Sequence, residues 1–239
     1  MPVIAFANPK GGAGKTTAAL LLASELASHG ADVTVIDADP ERWISGWGRL
    51  PGRPDALRVV EGVTEEGIVD AIAEAQAAAQ FVVVDLEGTA SLMAAHAVGM
   101  ADLVVIPTQG GSMDAKGAAK TIRLIRNQER MLRRQVAHAV LLTRTSAAVA
   151  SRSLRNVREQ LEGAGVPLFR TTIVERAAFR DIFDYGGLLS DLPDGQVSNL
   201  GKARANAQAF AGEVLERLRA ADADADADAD ASAELAGAA

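Results

Sequence analysis

Val3-Ile4-Ala5-Phe6-Ala7-Asn8-Pro9-Lys10-Gly11-Gly12-Ala13-Gly14-Lys15-Thr16-Thr17 runs straight into Ala18-Ala19-Leu20-Leu21-Leu22. The first five residues predict a buried strand, the glycines a tight loop, and the apolar run a helix. This order suits a phosphate chain. Glycines let backbone N–H groups converge on phosphate oxygens, and the helix N-terminus adds partial positive charge. In such a loop Lys15 reaches the outer phosphates and Thr16 places its hydroxyl on Mg²⁺. Residues Lys10, Gly11, Gly12, Ala13, Gly14, Lys15, Thr16 and Thr17 are therefore the candidate nucleotide-binding stretch. The pattern G-x-x-x-x-G-K-[ST] is kept except at Pro9, which stands where the first glycine belongs, and a second lysine, Lys10, precedes the paired glycines.

Outward from this loop the chain alternates short Val/Ile-rich runs with helical stretches. Strands are expected at 3–7, 33–37, 57–60, 81–85, 103–107, 136–142 and around 168–174. Helices are expected at 15–29, 41–48, 64–79, 90–99, 114–134, 150–164 and 199–219. Continuous apolar strands separated by helices predict an α/β fold, a mostly parallel twisted sheet with helices on both faces. Residues 1–219 form one expected domain. From 220 to 239 the chain is Ala/Asp-rich and acidic, with alternating Ala and Asp from Ala221 to Asp230, and a disordered tail is expected.

The 239 residues include no cysteine, which excludes disulfides, thiolate metal sites and cysteine nucleophiles. No apolar run approaches a membrane span and no signal peptide is evident, so a cytoplasmic protein without a membrane partner is expected. His29, His96 and His138 share no ligand spacing. Trp43 and Trp47, four apart, read as packing residues. The net charge of −7 conceals a strong polarity. Residues 1–115 hold 6 basic and 15 acidic side chains, whereas residues 116–180 hold 14 basic and 4 acidic ones. A basic face attracts polyanions whatever the total charge.

The K-G-G-x-G-K-T-T loop with its extra lysine resembles the deviant Walker A box of the ParA/MinD class of P-loop NTPases. The resemblance extends through Val33-Thr34-Val35-Ile36-Asp37-Ala38-Asp39-Pro40, similar to that class's D-x-D-P box, and Phe81-Val82-Val83-Val84-Asp85, similar to its Walker B strand. Leu103 to Thr108, followed by Asp114, resembles the approach to its interface helix. The resemblance implies an ATPase using ATP and Mg²⁺ that forms a homodimer on binding ATP. Lys10 would reach the partner's nucleotide, Lys15 the subunit's own, and Asp39 would orient the attacking water. Thr16, Asp37 and Asp85 would hold the metal. Two departures stand out. Leu86-Glu87-Gly88-Thr89 follows Asp85 where Thr-Pro is usual, adding a carboxylate near the γ-phosphate and implying slow or partner-dependent turnover. Thr143-Arg144 stands where many relatives carry Asn-Arg for adenine.

Within that class, the lack of cysteines argues against cluster-carrying branches and the Ala-Asp end against a membrane helix. A glycine loop this near residue 1 implies the short form without a helix-turn-helix domain. The expectation is a partition or positioning ATPase for a plasmid, chromosomal locus or protein cargo, also similar to the class's T-DNA-associated branch. It would be nucleoid-associated and stimulated by a ParB-like or cargo-linked adaptor. Arg152, Arg155 and Arg158 lie at i, i+3, i+6 on one predicted helix. With Arg176 and Arg180 they resemble the surface on which such dimers bind double-stranded DNA without sequence preference. Residues 116–168 contain no aromatic residue, which disfavours stacking on single-stranded bases. The basic run Lys116 to Arg134 is balanced between a solvated helix face and a polyanion surface. The alternatives are a metabolic ATP-dependent ligase or synthetase of the same fold with no DNA role, and a non-hydrolysing DNA-binding scaffold.

Overall fold

A computed structural model describes residues 1–88, 91–147, 151–195 and 197–237. Six strands form one sheet: β1 (Val3–Phe6), β2 (Val33–Ala38), β3 (Leu57–Glu61), β4 (Phe81–Leu86), β5 (Leu103–Thr108) and β6 (Ala137–Leu142). Their order is β3-β2-β4-β1-β5-β6, and every pairing is parallel. The helices are α1 (Lys15–Ser28), α2 (Trp43–Gly48), α3 (Ile68–Ala78), α4 (Leu92–Met100), α5 (Ser112–Leu132), α6 (Arg152–Gly163), α7 (Ala178–Tyr185) and α8 (Leu200–Gly237).

Both sheet faces are covered, which is why the strands read as continuous apolar runs. Along β1, Ile4 and Phe6 enter the core shared with α1, α2, α7 and α8. Val3 and Ala5 enter the core shared with α3, α4, α5 and α6. The period of two in a strand sends successive side chains to opposite layers. Phe210 of α8 meets Phe6 and Phe169 edge to face, at centroid separations of 6.4 and 5.6 Å. Trp47 is buried and its indole N–H donates to the Gly187 carbonyl, whereas Trp43 is exposed.

Three expectations differ from the structure. Residues 168–174 form no strand, only isolated bridges from Val140 to Leu168 and from Thr145 to Val174. The reason is a competing acceptor. The N–H groups of Arg170 and Thr171 both donate to the Glu213 carboxylate on α8, at 2.8 Å each, drawing the segment's middle off the ladder. Helix α7 was not foreseen. The segment from 220 onward, expected as a disordered tail, continues α8 to Gly237. Alanine, every second residue there, is the strongest helix former.

Candidate functional site

In open parallel sheets, ligands bind beyond the carboxyl ends of the strands, where the connections diverge. Here that end carries the glycine loop between β1 and α1. Gly12 and Gly14 have φ of 74° and 94°, conformations that favour glycine. Gly14 caps α1 without a side chain, so no side-chain oxygen takes the first-turn N–H groups of the helix. Lys15 opens α1 and is buried.

Neighbouring elements hold this loop from several directions. The Thr143 hydroxyl donates to the Ala13 carbonyl at 2.7 Å, and the Gln109 amide donates to the Gly12 carbonyl at 2.6 Å. Asn8 links loop to sheet: its amide donates to the Pro107 carbonyl and its Oδ1 accepts from the Lys10 N–H. Gly88 brings the loop after β4 against this cradle, since a Cβ there would stand 3.2 Å from the Gly11 nitrogen. Gly117 lets α5 approach as closely, because a Cβ there would stand 2.7 Å from Asn8 Oδ1.

The three aspartates sit beside the cradle. Asp37 and Asp85 are register partners on β2 and β4, and Asp85 also pairs with Phe6, the last residue of β1. Both are buried. Neither Asp85 oxygen has a well-formed hydrogen bond, although the Thr16 hydroxyl stands close enough to lower its pKa. Burial dominates, and with Asp37 and Asp39 nearby it outweighs Thr16 and Lys15, pushing the Asp85 carboxyl up to about 8. Asp37 Oδ2 accepts from the N–H and hydroxyl of Ser45, both at 2.7 Å, anchoring α2, while its buried Oδ1 has no hydrogen-bond partner among the described residues. Buried carboxylate oxygens without donors fit a divalent cation. Among the described residues no three acidic or histidine side chains gather as a complete metal cage. Asp39 follows β2, half-buried, with Oδ1 accepting from the Glu41 N–H at 3.0 Å.

Lys10 is ion-paired with Asp114 near the start of α5. Asp114 is buried, and its Oδ2 accepts from the Gly111 N–H. Glu87 lines a small cavity with Asn8, Pro9 and Lys120, on the α5 side of the loop. Thr89 lies outside the described residues.

A cleft of about 170 Å³ opens beside Gly14 and Thr17, lined also by Thr143, Arg144, Ile173, Glu175, Arg176 and Arg180. Arg180 pairs with Glu175 at 3.3 Å, and Arg176 Nε is buried without a hydrogen-bond partner among the described residues. These two arginines, grouped from sequence with the α6 arginines, line the cleft beside the phosphate loop instead. Of the others, Arg152 and Arg155 are exposed on α6, and Arg158 pairs with Glu162 at 3.7 Å. Val157 and Leu161 bury the opposite side of that helix. The sequence reading missed Asn8, Gly88 and Gly117. A glycine inside a helical pattern was the available signal for Gly117.

A family model described as VirC1 protein matches residues 1–218. The Protein ParA of Rhizobium radiobacter is 38% identical over 218 residues, covering 91% of this chain and 98% of that protein. The maintenance of carboxysome distribution protein A of Halothiobacillus neapolitanus is 27% identical over 183 residues, 74% of this chain and 82% of that one. An ATP complex of a Cyanothece McdA variant superposes with a TM-score of 0.72 at 16% identity, covering 90% of this chain and 96% of that one.

Proposed function

From the premise that this chain belongs to the VirC1 family, within the ParA-type positioning ATPases, we propose that it binds and hydrolyses ATP with Mg²⁺ as a nucleotide-dependent homodimer. The observation that carries this is the pair of in-register buried carboxylates, Asp37 and Asp85, beside a glycine cradle with a buried lysine. Mg²⁺, when bound, would supply positive charge that neutralises the phosphates. Thr16, Asp37 and Asp85 would hold that cation, while Asp37 Oδ2 anchors α2. Lys15 and the N–H groups of the loop take the phosphates. Asp39 orients the attacking water. Arg176, Thr143 and Arg144 border the cleft for the base and ribose. Lys10 leaves Asp114 to reach the partner's nucleotide.

The dimer then holds double-stranded DNA without sequence preference through the α6 arginines of both subunits. A ParB-like or cargo-linked adaptor stimulates turnover, so the protein distributes a plasmid, a chromosomal locus or a protein cargo over the nucleoid. The similarity to a Protein ParA and to a maintenance of carboxysome distribution protein supports this reading. Among the described residues no helix is long and apolar enough to cross a membrane.

The test combines phosphate release with sedimentation. Asp39→Ala should retain ATP binding and accumulate as dimer while turnover falls about 10²-fold or more, the range of a lost water-positioning group. Normal turnover in that variant removes the assignment. ATP-dependent retention of duplex DNA separates this reading from a metabolic synthetase of the same fold, and phosphate release separates it from a non-hydrolysing scaffold.

A further inference from the structure

The segment from 168 to 175 is held from two flanks. On one, the N–H groups of Phe169, Ile173 and Glu175 donate to the carbonyls of Val140, Leu142 and Thr145, on and just beyond β6. On the other flank the partners are side chains of α8. The N–H groups of Arg170 and Thr171 donate to Glu213 at 2.8 Å each, and that of Val174 donates to Asn206 Oδ1 at 3.0 Å. The Asn206 amide donates in turn to the Thr172 carbonyl at 2.8 Å. Two side chains thus serve four main-chain groups that a further strand would otherwise have to satisfy.

One face of α8 is built for this task. Asn206, Phe210, Glu213 and Arg217 recur at i, i+4, i+7 and i+11, a spacing that stacks side chains along one side of a helix. Phe210 meets Phe169 edge to face, and the Arg217 guanidinium lies 4.5 Å from the centre of the Phe169 ring and 3.1 Å from Glu213. Glu213 is buried. Burial pushes its carboxyl up, but the N–H groups of Thr171 and Arg170 and the Arg217 side chain outweigh burial and hold it below its usual range. It is therefore charged, the state in which it binds two N–H groups most strongly.

The same segment ends as a wall of the cleft beside the glycine loop. Ile173, Val174, Glu175 and Arg176 follow one another along that wall. Val174, whose N–H goes to Asn206, is itself a lining residue. The glycine loop is held by other residues, since Thr143, Gln109 and Asn8 bond its backbone.

We infer that Asn206 and Glu213 are positioning residues for the base and ribose of the nucleotide, through which α8 sets the place of the cleft wall. This rests on the proposed reading of that cleft as the base site. The two ends of the nucleotide then have separate supports: α8 for the base end, and the residues around the glycine loop for the phosphates.

Calorimetric titration of the full-length chain with Mg²⁺ and ATP, ADP or inorganic tripolyphosphate separates the two supports, because tripolyphosphate has neither base nor ribose. Asn206→Ala and Glu213→Gln should each weaken ATP and ADP by about tenfold, the weight of buried main-chain groups left without partners. Tripolyphosphate affinity should stay within about twofold, and in phosphate release KM should rise while kcat stays within about twofold. Glu216→Gln breaks an exposed pair between α8 and the Arg170 side chain and should change none of these. Glu213→Gln keeps the shape of the side chain, so it carries the test if Asn206→Ala does not fold. Equal losses for ATP and tripolyphosphate would mean a general loosening and overturn the inference, as would unchanged ATP affinity in both variants. A parent chain that binds tripolyphosphate as tightly as ATP is a different result: it overturns the reading of the cleft as a base site, and this inference with it.

Discussion

Asp85 concentrates the conflict at the heart of the site: a carboxyl with no exposed surface, in register with Asp37, and without a well-formed hydrogen bond. Burial first, and the charges of Asp37 and Asp39 after it, raise its folded pKa to about 8, far above an unfolded value near 3.9. Between those values the native state holds a proton that the unfolded chain has released. The nucleotide-free protein should therefore lose stability as pH rises from about 4 to 8, by about 1 kcal/mol per pH unit from this group. Asp85→Asn should remove that slope, so chemical denaturation at pH 5 and pH 8 should show the variant gaining on the parent at the higher pH. Adding Mg²⁺ and ATP should favour the parent alone. A second residue-scale expectation concerns Lys10. Lys10→Ala should lose ATP-dependent dimerisation in sedimentation more than mononucleotide binding, and a monomer that hydrolyses at full rate contradicts the cross-subunit role. Most of these groups were legible in sequence because strand-end aspartates and a glycine loop leave motifs. Asp85 pairing with Asp37 was not, because it depends on β4 inserting between β1 and β2.

At the scale of elements, the glycines show how helices are brought to the loop. Gly117 lies inside α5, where glycine costs about 1 kcal/mol relative to alanine in an exposed helix. Alanine should therefore stabilise α5 considered alone. In the fold its Cβ would meet Asn8 Oδ1 at 2.7 Å, and Asn8 cannot yield freely because it bridges Pro107 and the Lys10 N–H. Gly117→Ala should thus destabilise the protein by about 1–3 kcal/mol, the usual range for overpacking, and weaken ATP binding with it. A thermal melt that rises instead would mean that α5 shifts without disturbing Asn8. Among the described residues, the six strands of the sheet and seven of the eight helices were legible from apolar runs and period. Residues 168–174 were not, since their apolar character resembles a strand while Glu213, forty residues away, takes the N–H groups that a strand would need. Helix α7 is short, and its buried residues Ala178, Phe179 and Ile182 give too brief a period to read.

At the scale of the whole molecule, charge separation sets what the proposed dimerisation would add. The net charge of −7 arises from an acidic first half, a basic stretch from 116 to 180 and an acidic end, so any polyanion surface must be built from the basic stretch. Arg152 and Arg155 are exposed on α6, and the Ser153 hydroxyl ties that helix to the Gly110 carbonyl in the loop between β5 and α5. Leu154 packs so closely that a Cβ on Gly110 would stand 3.0 Å from it. The basic helix is thereby fixed to the loop that leads into Asp114, the partner of Lys10, so in the proposed dimer subunit pairing there would also set the spacing of two α6 helices. Joining two weak sites on one body raises avidity without any new contact. Each phosphate neutralised adds about 0.9 to the slope of log affinity against log salt. Duplex retention should therefore be stronger with ATP than with ADP, and its salt slope should steepen by the contacts of a second subunit. Combining Arg152→Ala, Arg155→Ala and Arg158→Ala should remove that retention while basal phosphate release stays unchanged, because none of the three lies in the nucleotide cleft. If this variant holds duplex as well as the parent at ~0.15 M salt, where charge contacts are screened beyond about 8 Å, α6 is not the DNA surface.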